Sequence, residues 1–448
     1  MATSSSGERR EHRGEIVTAV SAAAQGFNRS RSITAGSVDD TIPGLIRFLA
    51  IAALIAALVF NFFLCFVNTK LMGIADGYVI LSEMVIVGTA FVVALTRRAP
   101  IYLLLAAFIS YMLFIFALRG GELNLKSVRD ILIPIAFYFA GMRLRDPKLG
   151  DNLVLVSGVI VVAAGLFEYL AVDTYVSYFN IVGYYIARGT ITADQLFGVK
   201  EGLFVSGMRP EPRTILPFLG QHRVSSVFLE PVSMGNFAVM IYAWALYRGR
   251  AFKGFWLALI MALVVIALAD ARFGLYTCVL ITVFYPFYNL LPRLAWAVLP
   301  FLLLAVLAAY GIASGTDGGA NDLVGRFMVT AHILTQLSPA VVLGSEQTSQ
   351  FTADSGLAYS LTAFGIFGFV VLWAILVFAP AAEARAWRFH CMVMVYLLLL
   401  MQISDSLYSI KTAALLWFLL GTSNACKSFF ADETSARPTV KRQPMAAR

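Results

Sequence analysis

The sequence predicts an all-α polytopic membrane protein, with about twelve spanning helices and two long loops on one side. Three observations carry that prediction. Only 13% of the 448 residues are charged while 59% are hydrophobic, against about 25% charged in soluble domains. Apolar runs of bilayer-crossing length recur from Leu45 toward the C-terminus, and the mean hydropathy is +0.79. Lysine and arginine then alternate from one side of those runs to the other, as the positive-inside rule requires. A soluble enzyme is excluded. The net charge of +8 reads as topology, and no nucleic-acid partner is expected.

Residues 1–44 are rich in Ser, Arg, Glu and Ala without an apolar period, and are expected to be a disordered cytoplasmic tail. They are not expected to be a signal peptide, because the first apolar run is long enough to span. Spans are expected at 45–67, 77–96, 100–118, 127–142, 151–172, 231–248, 253–270, 273–291, 295–312, 357–379, 390–408 and 410–430. The fourth is short and carries Arg129 and Asp130. The seventh and eighth share one apolar run broken by Asp270-Ala271-Arg272, too long for one crossing, so a tight outer hairpin is expected there. Together they form one transmembrane domain, 45–430, followed by a second cytoplasmic tail, 431–448.

The inner loops hold Arg97 and Arg98, then Arg143, Arg145 and Lys148, then Arg248, Arg250 and Lys253. Arg293, then Arg385 and Arg388, and finally Lys427, Arg437, Lys441 and Arg442 complete the series. Both termini are therefore expected in the cytoplasm. Two long segments, Asp173–Glu230 and Ala313–Gly356, fall outside. The first is basic, with Arg188, Lys200, Arg209, Arg213 and Arg223, but long loops translocate largely regardless of charge. Pro210, Pro212 and Pro217 argue against a single long helix in it. The second holds a flexible stretch, Gly315-Thr316-Asp317-Gly318-Gly319, ahead of Arg326 and His332.

The four cysteines lie in or beside apolar runs, and the four histidines have no ligand spacing. Neither a disulfide framework nor a metal is expected, and no cofactor is implied. Chemistry concentrates instead in Gln221–Asn236, QHRVSSVFLEPVSMGN. Its Pro231 reads as the first turn of a helix, whose unpaired N–H groups carry partial positive charge. Arg223 beside that start would suit an anion such as a phosphate. Glu230 either caps the helix or does chemistry; the plain alternative is a capped helix with a local Arg–Glu pair.

Arg223, Arg272 and Arg326 come from three segments that the topology brings to one outer face. Guanidinium groups bind phosphate oxygens bidentately, so the three suit a diphosphate, or alternatively anionic lipid headgroups. Glu83, Glu168 and Asp405 show the same outward bias, Glu83 lying roughly 9 Å inside its span. Such acids are functional candidates unless headgroups or structural partners satisfy them.

The segment Arg223-x-x-Ser226-x-Phe228-x-Glu230-Pro231, with Gly235-Asn236, resembles the motif before the mid-chain span of Wzy-type polysaccharide polymerases and O-antigen ligases. Ala269-Asp270-Ala271-Arg272-Phe273-Gly274 resembles that family's Ser-Arg-x-Gly turn, with Asp-Ala where Ser is usual. Gly325-Arg326, Gly344 and Asp354-Ser355-Gly356 through Gly365-Ile366-Phe367-Gly368 are similar to its second outer loop and the span that follows. The Phe-Leu-Glu-Pro version is most similar to exopolysaccharide repeat-unit polymerases of the xanthan type.

The resemblance implies a GT-C-like glycosyltransferase of the bacterial inner membrane, with both long loops periplasmic. Its donor would be a glycan on undecaprenyl pyrophosphate, and its acceptor a sugar hydroxyl of a second lipid-linked unit. Membrane lipid, a chain-length regulator and export machinery are the further partners implied. Catalytic candidates are Glu230, Arg223, Arg272, Arg326, Asp354 and His332. Substrate-binding candidates are His222, Ser226, Arg209, Arg213, Asp270 and Asn236. Ligases of the family often carry a His where this chain has Asp354-Ser355, so Glu230, His332 and Asp354 all stay open as the base. A ligase acceptor is the alternative within the family. A lipid-oligosaccharide flippase is the alternative outside it, although a flippase would line a central cavity with charge and keep both sets of loops short.

Overall fold

A computed structural model describes residues 44–95, 99–121, 125–191, 202–208, 213–314, 323–348, 352, 354–381 and 383–425. The expected tails (all but Gly44), Gly315–Gly319, Lys200, Arg97, Arg98 and the site candidate Arg209 lie outside those residues. Among the described residues the regular structure is helical, with no strand and an isolated bridge between Met208 and His222.

The helices form where the apolar runs fall. The first group is α1 (Gly44–Lys70), α2 (Asp76–Ala94), α3 (Ala99–Leu118), α4 (Leu125–Leu144) and α5 (Pro147–Leu170). Two short helices follow, α6 (Val172–Tyr178) and α7 (Ile181–Ala187). After the first long loop come α8 (Pro231–Arg248), α9 (Phe255–Ala269), α10 (Arg272–Phe284) and α11 (Arg293–Ser314). The second loop is itself partly helical, with α12 (Leu323–Gln336) and α13 (Pro339–Leu343). The chain closes with α14 (Gly356–Phe378), α15 (Ala384–Leu400) and α16 (Ile410–Ala425).

Each stretch expected to span is helical, α14 with a break where Gly365 leaves helical backbone (φ 65°, ψ 171°). Six of these helices are long and apolar enough to cross a membrane: α1, α2, α3, α5, α11 and α14. The others are shorter or more polar. Helix α4 opens with Lys126, Arg129 and Asp130. Helices α9 and α10 are halves of one apolar run, parted where Asp270 takes left-handed backbone, φ 48°. Helix α15 stops at Leu400, so the span expected to reach 408 ends early, and 401–409 is irregular apart from a 3-10 turn over Ser406–Tyr408. Helices α8 and α16 are buried along nearly their whole length, α16 without interruption from Ile410 to Asn424. Their polar ends are tolerable because neighbouring helices, not lipid, surround them.

Small residues set the closest approach. A Cβ at Gly141 of α4 would lie 2.1 Å from the Phe418 carbonyl oxygen, and one at Gly421 of α16 would lie 2.0 Å from that of Tyr138. These helices touch backbone to backbone, as small residues allow between membrane helices. Gly421→Val should therefore force them apart at a cost of about 1–3 kcal/mol. The expected result is a lower unfolding temperature in detergent than for Gly88→Val, since a Cβ at Gly88 meets nothing within 4 Å. Equal stability of the two variants would overturn this packing.

The helix ends sort into two polar layers. At one end arginines bind helix termini and carboxylates. Arg143 donates to the Val93 carbonyl (2.7 Å), and buried Arg248 grips both oxygens of Asp151 at 2.9 Å. The opposite layer gathers the N-termini of α2, α4, α8, α14 and α16, and its links are described next.

Candidate functional site

Pro231 fixes the first turn of α8, and Glu230 precedes it in extended backbone, φ −144° and ψ 126°. The cap expected as the plain reading of Glu230 is not formed: its side chain makes no capping bond to the helix. The carboxylate turns sideways instead. Tyr185 Oη donates to Oε1 at 2.7 Å, Ser233 Oγ donates to Oε2 at 2.8 Å, and Lys411 Nζ lies 2.9 Å from Oε2. Lys411 also donates to the Phe228 carbonyl at 3.0 Å, tying the N-terminus of α16 to that of α8. The ion pair is asymmetric, Lys411 being 7% exposed and Glu230 28%.

Burial alone would raise the Glu230 carboxyl. The Lys411 charge, with hydrogen bonds from Lys411, Tyr185 and Ser233, outweighs it and holds the group below its ordinary value of 4.5. The sign follows: this interaction stabilises the fold above that ordinary value and is lost as pH falls through the lower folded one. Burial first, and the Glu230 charge second, push the Tyr185 phenol far up, so it remains a donor.

A chain of paired charges surrounds this carboxylate. Arg188 grips Asp76 Oδ1 (2.8 and 3.1 Å) and lies over the rings of Tyr184 and Tyr185. Arg129 bridges Glu83 of α2 and its neighbour Asp130, whose other oxygen accepts from Tyr359 of α14. Lys126 pairs with Asp405 at 3.3 Å and lies over the Tyr359 ring. Burial pushes the Asp405 carboxyl up; Lys126 opposes this, while Asp130 and Glu230 add to it. On the far side Arg326 meets Asp354 at 3.0 Å, and its Nη1 lies 3.5 Å from the Ile403 carbonyl.

The remaining sequence candidates divide by what they touch. Glu168, fully buried at the end of α5, accepts the backbone N–H groups of Ser225 and Ser226 and contacts His222 Nε2 at 3.1 Å. That grip fixes Ser226 in left-handed backbone, φ 52°, with its Oγ donating to Val161. His222 and Ser226 are thus part of the loop's anchorage.

Arg213 and Arg223 are buried, 2% and 5% exposed, and turn onto the last carbonyls of α9. Arg213 Nη1 donates to Ala267 and Arg223 Nε to Ala269, at 3.0 and 3.1 Å. Asp270 Oδ1 accepts from Thr214 and Ile215. A helix C-terminus leaves carbonyls unpaired and favours cations, which explains why the loop's arginines gather there. Arg223, expected beside the start of α8 as a phosphate grip, is instead a cap for the end of α9.

Asn236 is buried within α8, and its amide finds no hydrogen-bond partner among the described residues. Arg272 is half-buried at the first turn of α10, and half-buried His332 contacts Gln336. Asp354, 43% exposed, is the more accessible acid beside Arg326.

Sequence reasoning missed Lys411, Tyr185 and Lys126. A lone lysine one residue into an apolar run was the available signal for Lys411. Nothing local marked Tyr185. Compared with known proteins, the chain matches no family model, no curated protein and no solved structure.

The arrangement offers an ionised carboxylate, a second carboxyl pushed toward neutrality, and arginines near helix N-termini. Two carboxyl groups with values driven apart suit division between orienting and proton-accepting roles.

Proposed function

We propose that the chain is a bacterial inner-membrane glycosyltransferase with about twelve spans and cytoplasmic termini. It polymerises undecaprenyl-pyrophosphate-linked repeat units at the periplasmic face. The observation that carries this reading is the Glu230 carboxylate, partly exposed at the start of α8 and held by Lys411, Tyr185 and Ser233. Around it lie the paired charges of the same helix ends.

In this reading Glu230 stays ionised and accepts a hydrogen bond from a neighbouring hydroxyl of the acceptor sugar, which orients the attacking hydroxyl beside it. The hydroxyl oxygen forms a bond to the anomeric carbon of the donor. The carbon–oxygen bond to the pyrophosphate breaks, and its electron pair stays on the departing phosphate oxygen. The hydroxyl proton passes to Asp405, the carboxyl that burial has made the stronger base. Arg326, Arg272 and the N-termini of α8, α10 and α14 face the developing pyrophosphate charge.

Two measurements test the reading. Reporter fusions after Ser206 and Asn321 should be active only outside the cytoplasm, and a cytoplasmic signal at either overturns the shared outer site. Purified protein in liposomes, given a lipid-pyrophosphate oligosaccharide, should yield a ladder of lengthened glycans and one released lipid pyrophosphate per linkage. Absence of both products would sink the polymerase.

A further inference from the structure

The loop 213–220, Arg213-Thr214-Ile215-Leu216-Pro217-Phe218-Leu219-Gly220, takes no part in the reaction proposed above. It is uncharged after Arg213, and Phe218 at its tip is 80% exposed, with Pro217 exposed beside it. A mobile loop could fold such a ring away. This loop is pinned at both ends. Arg213 Nη1 holds the Ala267 carbonyl, and Asp270 Oδ1 takes the N–H groups of Thr214 and Ile215 at 3.0 and 2.9 Å. Arg213 N donates to the Gly220 carbonyl at 3.3 Å, which closes the loop. Tyr169 of α5 donates to the Leu219 carbonyl at 3.4 Å.

The backbone accounting is the second observation. The N–H groups of Leu219 and Gly220 bond to the carbonyls of Leu216 and Pro217, within a 3-10 turn over Pro217–Leu219. Pro217 has no N–H. With the bonds of Arg213, Thr214 and Ile215, most donors of the loop are satisfied inside the protein. Backbone near hydrocarbon needs such internal pairing, and among the loop's backbone donors only the N–H groups of Leu216 and Phe218 lack it within the described residues. The third observation is continuity: the last turn of α5, beside Tyr169, exposes Leu166 and Leu170 on the apolar surface of the helix.

We propose that loop 213–220 is a membrane wedge, with Pro217 and Phe218 seated among the acyl chains of the adjacent leaflet. The occupant of this apolar tip is lipid, because the tip is tied through Leu219 to Tyr169 and continues the exposed apolar surface that Leu166 and Leu170 form on α5. The wedge rests only on the helices crossing a membrane, and is independent of the glycosyltransferase reading.

Site-directed spin labelling tests it without substrate. Cys65, Cys278 and Cys391 are buried, so replacing Cys426 gives a workable background. A nitroxide is placed at Phe218→Cys or Pro217→Cys in protein reconstituted into phosphatidylethanolamine–phosphatidylglycerol vesicles. Power saturation compares collisions with oxygen, which concentrates in lipid, and with a polar nickel chelate, which stays in water. Leu302→Cys, on the exposed face of α11, gives the lipid reference, and exposed Gln347→Cys the aqueous one.

The expected oxygen-to-nickel ratio at both loop positions is within about twofold of that at Leu302, as hydrocarbon depth requires. A ratio like that of Gln347 at both positions would place the loop in water and overturn the wedge. Protection from both reagents would overturn it equally, in favour of a second copy or partner covering the tip. Lipid contact at Phe218 with an inactive enzyme would leave the wedge standing and the polymerase fallen.

Discussion

Glu230→Gln and Lys411→Met should each cut polymer yield on the order of 10²-fold, the loss expected when a reacting group is no longer held in place, and each should also lower the unfolding temperature. The second effect follows from burial. Removing one member of a buried ion pair costs about 3–5 kcal/mol because the survivor is left charged and unpaired. Glu230 is 28% exposed, so the cost here is smaller, water screening part of it. The two effects separate in the double variant Glu230→Gln/Lys411→Met, where neither charge remains. Its unfolding temperature should recover most of the loss, since a neutral amide beside a thioether needs no partner charge. Its polymer yield should not recover, because an amide oxygen orients a hydroxyl far more weakly than a carboxylate does. Polymer length on gels from membranes at matched protein level, with unfolding temperatures in detergent, gives both readings. If polymer returned together with stability, the carboxylate would be a strut between α8 and α16 and nothing more.

What the sequence could and could not disclose follows from the range of each interaction. Helix positions were legible because hydrophobic length is a local property: every expected span holds a helix, even where charges at Arg129 and Asp130 weaken the pattern. The break at Asp270 was legible as a turn for the same reason. Helix ends were less so. The expected span ran on to 408, yet 401–409, MQISDSLYS, is largely polar, and the chain leaves the helix there among buried neighbours. The site was half legible. Glu230 stood out because an acid before a Pro at the edge of an apolar run is conspicuous. Its partners Lys411 and Tyr185 come from distant segments, and only tertiary packing brings them to it. Arg223 misled for an instructive reason. An arginine near a helix N-terminus reads as an anion grip, but the same loop passes a helix C-terminus, where carbonyls compete for the guanidinium and win.

Arg326→Lys and Arg223→Lys should therefore fail in different ways, although both arginines were expected to share one task. Arg326 is 33% exposed and meets Asp354 at 3.0 Å. Such a surface pair is worth about 0–1 kcal/mol, so Arg326→Lys should leave the unfolding temperature almost unchanged. Its polymer yield should nonetheless fall on the order of 10²–10³-fold, the usual loss when one donor to a developing oxyanion is removed. An ammonium keeps the charge but cannot fork onto two phosphate oxygens. Single lipid-linked repeat units should then accumulate. Arg223 is buried, with Nε on the Ala269 carbonyl and Nη1 on that of Ser206, at 3.1 and 3.3 Å. A lysine cannot reach both in that geometry, and a lost bond from a charged donor costs about 1.5–3 kcal/mol. Arg223→Lys should lower the unfolding temperature, with polymer lost only in proportion to the unfolded fraction. Activity should return at lower temperature, where the loop stays docked on the end of α9. Near-normal chains from Arg326→Lys would remove the pyrophosphate contact from that side of the site. An Arg223→Lys protein of full stability but no activity would return Arg223 to the substrate and overturn its assignment as a helix cap.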